Sequence, residues 1–509
     1  MIAKLLRAFF GLAIFACSAQ IVNTAPLISC KIPSPATFRP ESAATTGPMK
    51  NMPQIQPHSA APGKSFAQSA SARILRLRSC RPLRSIARAM PGLAERDWVE
   101  ADCDPETRGP IASLLARTGR MVQECPDHIA KRLEVPFVSS PPEDTKRRKV
   151  SDHGQFLARQ DCWDDLGLLI RQYDRSRAAT ATGLPLADLL AFGARADVTG
   201  PVERALTDPG LMPGHAPRSG LAELEDVLDE YPDDYGIALV VAHAHLDIGW
   251  AWRGTGWTSD IPTRNWKQFK RHFARASEIL DGFDAFAEDS PALAAARCAL
   301  LAAEDAPQTR VADDYEDLID LDPGNPRHMR ALGYHLLPRW FGTYGDLELE
   351  ARRTAARTTD IWGNGGYTWV YFDALAVDPE ALSLMDVDLF EQGMRDILAR
   401  RTDQHTANMF AAYCAVTLSS RRYRRPRQIA AQQKLIESFR WILSHHLQEV
   451  HPLTWGIAAQ KPGTTPDPVE TAIKGRNHAL ARIARHFEKD LKRGARVVWT
   501  DTGPMVVAG

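Results

Sequence analysis

From about Val150 to Leu491 the apolar residues recur at spacings of three and four, the period of an α-helix with one buried face. The repeat predicts helices over Phe156–Tyr173, Leu184–Ala194, Leu221–Tyr231, Thr263–Ala287, Pro291–Ala303, Asp313–Leu321, Arg327–Trp340, Leu347–Thr358, Tyr367–Val377, Val387–Arg401, His405–Leu418, Gln428–Leu447 and Val469–Leu491. Thr263–Ala287 shows the period most plainly. Trp266, Phe269, Phe273, Ala276 and Leu280 fall on one stripe, with Lys267, Lys270, Arg271 and Arg275 around it. The Pro/Gly-rich stretch from Gly200 to Gly220 reads as a loop. Ala495–Ala508 departs from the pattern: two valine-rich runs flank Asp501-Thr502-Gly503-Pro504, which predicts a small hairpin.

Tyr231–Trp257 (YPDDYGIALVVAHAHLDIGWAWRGTGW) is the most apolar run outside the N-terminus. Pro232 breaks the preceding helix, and Asp233 and Asp234 suit the first turn of a new one, where carboxylates meet free N–H groups. Apolar residues then continue past Trp250 without a turn signal until Gly254. A stretch of about 20 residues is too long for an ordinary strand of 3 to 10, so the run reads as a buried helix. Ala238, Ala242 and Gly249 lie near one stripe, as where a neighbour approaches closely.

The same run holds His243-Ala244-His245-Leu246-Asp247. In a strand all three polar side chains would share a face. In a helix, residues two apart sit roughly 200° apart, so His243 and Asp247 face one way and His245 another. HAHLDIGW resembles the zinc-binding signature of the retaining α-mannosidases, metal-dependent glycoside hydrolases. That resemblance implies zinc on His245 and Asp247, with Ile237–Val241 as the preceding strand. The helical reading separates the two ligands and predicts no metal and no cofactor.

Three junctions are alike: Glu230-Tyr231-Pro232-Asp233, Leu321-Asp322-Pro323-Gly324 and Val377-Asp378-Pro379-Glu380. Each closes one helix and opens the next, as in tetratricopeptide-like hairpins with a unit of about 34 residues. AWRGTGW (Ala251–Trp257) and LLPRWFGTYGDLELEARRTA (Leu336–Ala355) resemble a bacterial family of unknown function with a tetratricopeptide-like helical domain. The similarity spans about Val150 to Thr417 and implies a fold without catalytic residues. The expected fold is all-α: a tetratricopeptide-like α-solenoid of degenerate helical hairpins, with a disordered N-terminal region and a short C-terminal hairpin. The expected division is a leader (1–30), a disordered region (31–149), an N-terminal helical block (150–220), a central repeat domain (221–420), C-terminal helices (421–494) and a β-like tail (495–509).

Composition changes the picture mainly at the N-terminus. The chain has 509 residues, 62 Lys plus Arg and 62 Asp plus Glu, so no overall charge points to nucleic acid or membrane. Residues 1–19 look like a secretory signal: Lys4 and Arg7 precede the apolar run Ala8–Ala16, and Ile14-Phe15-Ala16-Cys17 approaches a lipoprotein cleavage box. The Pro-, Ser-, Ala- and Arg-rich stretch that follows ends in the basic run Lys146–Lys149 and reads as the long linker of an export leader, as a transit-type segment or, ahead of both, as sequence before a true start at Met90, Met121 or later. Of eight cysteines none forms a C-x-x-C pair, which suits a reducing compartment. The cytoplasm is the expected location, with export or lipid anchoring, and a membrane partner, only if residues 1–19 act as a signal.

Other clusters carry bland readings. His445, His446, Glu449 and His451 in HHLQEVH lack zinc-protease order and suit the end of a helix. Arg421–Arg427 (RRYRRPR) reads as a solvated loop, or as a grip on phosphate in a nucleic-acid-associated protein. Trp362–Gly366 lacks the lysine and the preceding strand of a phosphate loop. The sequence therefore points to a non-enzymatic interaction module with a protein or peptide partner. Trp252, Arg253, Trp257, Arg339 and Trp340 are the candidate surface, with Trp250 beside them, and burial is the expected fate of most of these tryptophans.

Overall fold

The computed structural model describes residues 131–138, 142–207, 219–254, 260–460, 467–500 and 503–508. The leader, most of the region expected to be disordered, and Trp257 lie outside the described residues. The described chain is all-α with one small sheet. The helices are α1 (Pro142–Arg159), α2 (Trp163–Arg175), α3 (Leu186–Thr207), α4 (Ser219–Glu230), α5 (Tyr235–Arg253), α6 (Thr263–Leu280), α7 (Pro291–Leu300), α8 (Val311–Leu321), α9 (Pro326–His335), α10 (Tyr344–Arg357), α11 (Thr359–Trp362), α12 (Gly365–Val377), α13 (Val387–Arg400), α14 (Gln404–Ala412), α15 (Pro426–His445), α16 (Pro452–Ala458), α17 (Pro468–His486) and α18 (Glu488–Lys492).

Local signals explain most of these elements. Asp234 caps α5, accepting from the amides of Gly236 at 2.8 Å and Ile237 at 3.3 Å. Gly254 ends it at φ 70°, a conformation that costs a residue with a Cβ. Asn325, Asp378, Asp386 and Asp403 cap the elements that follow them. Helices pack mainly on near neighbours in sequence: α1 on α3, α3 on α5, α5 on α6, α7 on α8, α9 on α12, α12 on α13, α14 on α16 and α16 on α17. At the α1–α3 crossing the backbones nearly touch. A Cβ on Gly154 would run into the Leu190 carbonyl, and one on Gly193 into the Ser151 carbonyl.

Several boundaries differ from the expected ones. Phe156–Tyr173 is two helices, because Asp161 sits at φ 53° and closes α1 in a Schellman motif. The Cys162 amide bonds to the Leu157 carbonyl at 3.0 Å and the Asp161 amide to Ala158 at 3.2 Å. Aspartate in this role gives no glycine signal. Helix α3 runs through Pro201 into the expected loop, and Val202 beyond it is 5% exposed, so packing outweighs one lost backbone bond. Helix α1 starts at Pro142, inside the stretch read as unpatterned, and exposes Lys146, Arg148 and Lys149. Helix α9 stops at His335, and α14 passes through a π-turn at Tyr413–Thr417.

The tail is the expected hairpin, β2 (Arg496–Thr500) antiparallel to β3 (Gly503–Val507). An unexpected third strand, β1 (Leu133–Glu134), pairs parallel with β2, Leu133 opposite Val497. The same arm bonds Val450: its amide donates to Pro136 O at 2.8 Å, and its carbonyl accepts from the Val138 amide at 3.0 Å. A parallel pairing this distant in sequence leaves no local signature.

Candidate functional site

Helix α5 is the element on which the candidate chemistry sits. Its neighbours are α2, α3, α4, α6 and α7, and 15 of its 19 residues are buried, so the polar side chains on it meet protein rather than water. The helical twist sends the HAHLD side chains in two directions. Asp247 turns towards α3, where Arg195 Nε donates to its Oδ2 at 2.7 Å. The Arg195 side chain is only 5% exposed. His243 faces the same helix; burial, and then the Arg195 charge, push its pKa down to about 3. Arg195 Nη1 and His243 Nδ1 are buried without hydrogen-bond partners.

His245 turns the other way, towards α4 and α6. Its Nε2 lies 2.7 Å from Glu225 Oε1 and its Nδ1 lies 3.0 Å from His272 Nδ1. Arg275 closes the cluster: Nε donates to Glu225 Oε1 at 3.1 Å and Nη2 to Oε2 at 2.6 Å. The Arg275 hydrogen bonds, followed by His245, hold the Glu225 carboxyl below its ordinary value against the effect of burial. An ionised carboxylate only accepts, so His245 carries its proton on Nε2. Its Nδ1 is then the acceptor, and His272 donates from Nδ1. Burial keeps both rings neutral: it lowers His245 and, with His245 and Arg271, takes His272 down to about 4. The cluster therefore locks two tautomers and ties three helices together.

His245 and Asp247 thus lie on different sides of α5. Among the described residues no group of three or more His, Cys, Asp or Glu could hold a metal ion.

The expected interaction residues belong to two separate clusters. Trp250 packs on Phe269 and Phe273 of α6, at 5.0 Å and 5.7 Å between ring centroids. Arg253, 7% exposed, lies over Trp250 and Trp266, and Arg264 covers Trp252. Trp340 joins Tyr334, His335 and Phe341 at the end of α9. Arg339 beside it is exposed. Most of this candidate surface is packing rather than groove.

HHLQEVH ends a helix, as expected. His445 Nδ1 donates to the Trp441 carbonyl at 2.9 Å, and Glu449, beyond the helix, accepts from His451 Nε2 at 2.8 Å. Arg421–Arg425 is the loop before α15, whose first turn holds Pro426 and Arg427; Arg422, Arg424, Arg425 and Arg427 are exposed. Arg421 is held by the Ala376 carbonyl.

A second polar centre escaped the sequence reading. Asp174 (α2) accepts from Ser290 Oγ and, at 3.0 Å, from the Ala292 amide at the start of α7. Burial pushes its carboxyl up to about 6. Burial also raises Asp188 on α3, against the pull of Arg195, His328 and Arg327. His328 bonds Asp322 at 3.0 Å. These groups line a cleft of about 20 Å³, room for one water. A surface groove of about 50 Å³ runs beside Asp281, Arg297 and Arg310. Both are far below the roughly 300 Å³ of a small-molecule pocket. Only Asp322 carried a signal, as part of a helix junction. Asp174 and Asp188 meet this cleft only through α7 and α9, more than a hundred residues later in the chain.

No family model, curated protein or solved structure matches this chain. Among the described residues no helix is long and apolar enough to cross a membrane.

Proposed function

We propose that the protein is a non-enzymatic helical scaffold, built from degenerate tetratricopeptide-like hairpins, that binds a protein or peptide partner. The observation that carries the reading is the packing order: helix after helix rests on its near neighbours from α1 to α17. Stacked hairpins of this kind bury a continuous core and offer long faces to partners. The buried ionic clusters around α5 support it, because their groups bind one another across helices. Cys298 and Cys414 are buried free thiols, which suits a reducing compartment such as the cytoplasm.

The test is proximity labelling with the full chain in its own cells, followed by reconstitution of each recovered protein with purified chain. A stoichiometric complex of defined affinity supports the proposal. Turnover of aryl glycosides that needs zinc and is lost in His245→Ala would overturn it.

A further inference from the structure

We propose that two copies of the chain pair through the outer edge of β3, across a twofold axis, and join their three-stranded sheets into one. The register of the sheet decides which backbone groups are free. The Val497 amide donates to Arg132 O at 2.8 Å, so Val497 turns its groups towards β1, and Arg496, Val498 and Thr500 turn theirs towards β3. Their partners there are Val507, Met505 and Gly503. Pro504 and Val506 therefore face away from β2, with Ala508 after them. An outward position on an edge strand is where proline is tolerated, because no ladder bond needs its N–H. Among the described residues no backbone group bonds to this edge.

The side chains match the free backbone. Met505, Val506 and Val507 are all exposed, and β3 carries no charge. Val506 lies on the same face as Val497, which is fully buried, so the apolar layer under β2 runs out uncovered at β3. The opposite edge of the sheet is built differently: β1 is two residues long, and Lys131, Arg132 and Glu134 are exposed around it. Charge and short length are devices that keep an edge from pairing with another chain. They guard β1 and leave β3 open.

Alternating N–H and C=O groups on an edge match another extended backbone. A free peptide loses conformational freedom on seating. The β3 strand of a second copy is already extended, held by β2 and by Trp499, whose Nε1 donates to Leu447 O at 2.9 Å. The strand is also its own complement. In an antiparallel pair centred on Val506, the two valines exchange both backbone bonds, and each Ala508 N–H donates to Pro504 O of the other copy. Met505 then lies opposite Val507 of the other copy, apolar against apolar. The missing Pro504 N–H falls at the end of the ladder. Each β3 has one free edge, so pairing closes at the dimer.

The test is sedimentation equilibrium on the full chain, with backbone hydrogen exchange over residues 503–508 read by mass spectrometry. Wild type dimerises by about 100 μM, as well in about 0.5 M NaCl as at low salt because no charges pair across the contact. Exchange over this stretch slows on the order of tenfold as concentration rises. Val506→Pro removes the central donor and spares the β2–β3 bonds; it is monomeric. Val506→Lys sets two like charges side by side on the axis and is monomeric too, whereas Val506→Ile still dimerises. Far-UV circular dichroism checks that the variants fold. Three results overturn the proposal: a wild type monomeric throughout, a dimer that survives both Val506→Pro and Val506→Lys, or a dimer whose exchange over this stretch ignores concentration. A monomeric wild type that still forms a stoichiometric complex with another protein removes the pairing and leaves the scaffold reading standing.

Discussion

Helices α5 and α12 are both enclosed by other helices, yet they handle their polar side chains differently. α12 lies among α9, α10 and α13, and 11 of its 13 residues are buried. Each helix carries one aspartate bound to an arginine of a neighbour. Arg195 donates to Asp247 through Nε alone, from a side chain 5% exposed. Arg330 grips Asp373 with two bonds of 2.8 Å, from a side chain 24% exposed. The remaining polar groups diverge further. On α12, Tyr367 and Tyr371 donate to Glu348 at 2.6 Å and 2.8 Å. On α5 they are histidines, which burial holds neutral in the folded protein and which take up a proton below about pH 6.5 only once unfolded. A polar motif in an enclosed helix can thus serve to join helices, and its residue types decide whether the joint responds to pH.

The largest effect should come from Asp247→Ala. It strands the Arg195 guanidinium in the interior and costs about 4 kcal/mol in urea unfolding. Asp373→Ala should cost less, about 2 kcal/mol, because Arg330 keeps some access to water. The reverse order would break the comparison. Next in size is the response to acid. His272 has a folded pKa of about 4 against 6.5 for the unfolded group. The unfolded chain therefore binds more protons as pH falls below 6.5, and stability present above that pH is lost towards 4. His272→Gln should flatten the stability–pH slope between pH 7 and 5 by roughly 1–2 kcal/mol, measured by urea titration. An unchanged slope would place the acid response elsewhere. Tyr371→Phe, on the α12 side, should cost only about 1 kcal/mol at any pH from 5 to 8, for one hydrogen bond to Glu348.

Legibility followed the range of the interaction. The bounds of α5 could be read because Pro232, Asp234 and Gly254 act on the backbone within a turn of themselves. The break at Asp161 could not, since aspartate adopts positive φ only where the surrounding bonds hold it. The Pro/Gly-rich stretch from Gly200 predicted a loop, but α3 runs on from Ala194 to Thr207 with Val202 buried. Trp250 and Arg253 carry no local sign of what they meet, although their partners Phe269, Phe273 and Trp266 form the clearest stripe in the chain. The stripe identified α6 as amphipathic without saying which helix it would meet.

The sequence by itself determined that the chain is helical, where most helices start and stop, that the tail turns back as a hairpin, and that His245 and Asp247 diverge around α5. These follow from backbone geometry and from side chains acting on their own turns. Tertiary structure alone decided that Glu225 and His272 receive His245, that Arg195 receives Asp247, that Asp174 is buried, and that Leu133 pairs with Val497. Those partners are brought together by packing of apolar faces, which is non-directional and leaves no mark on the residues beside each group.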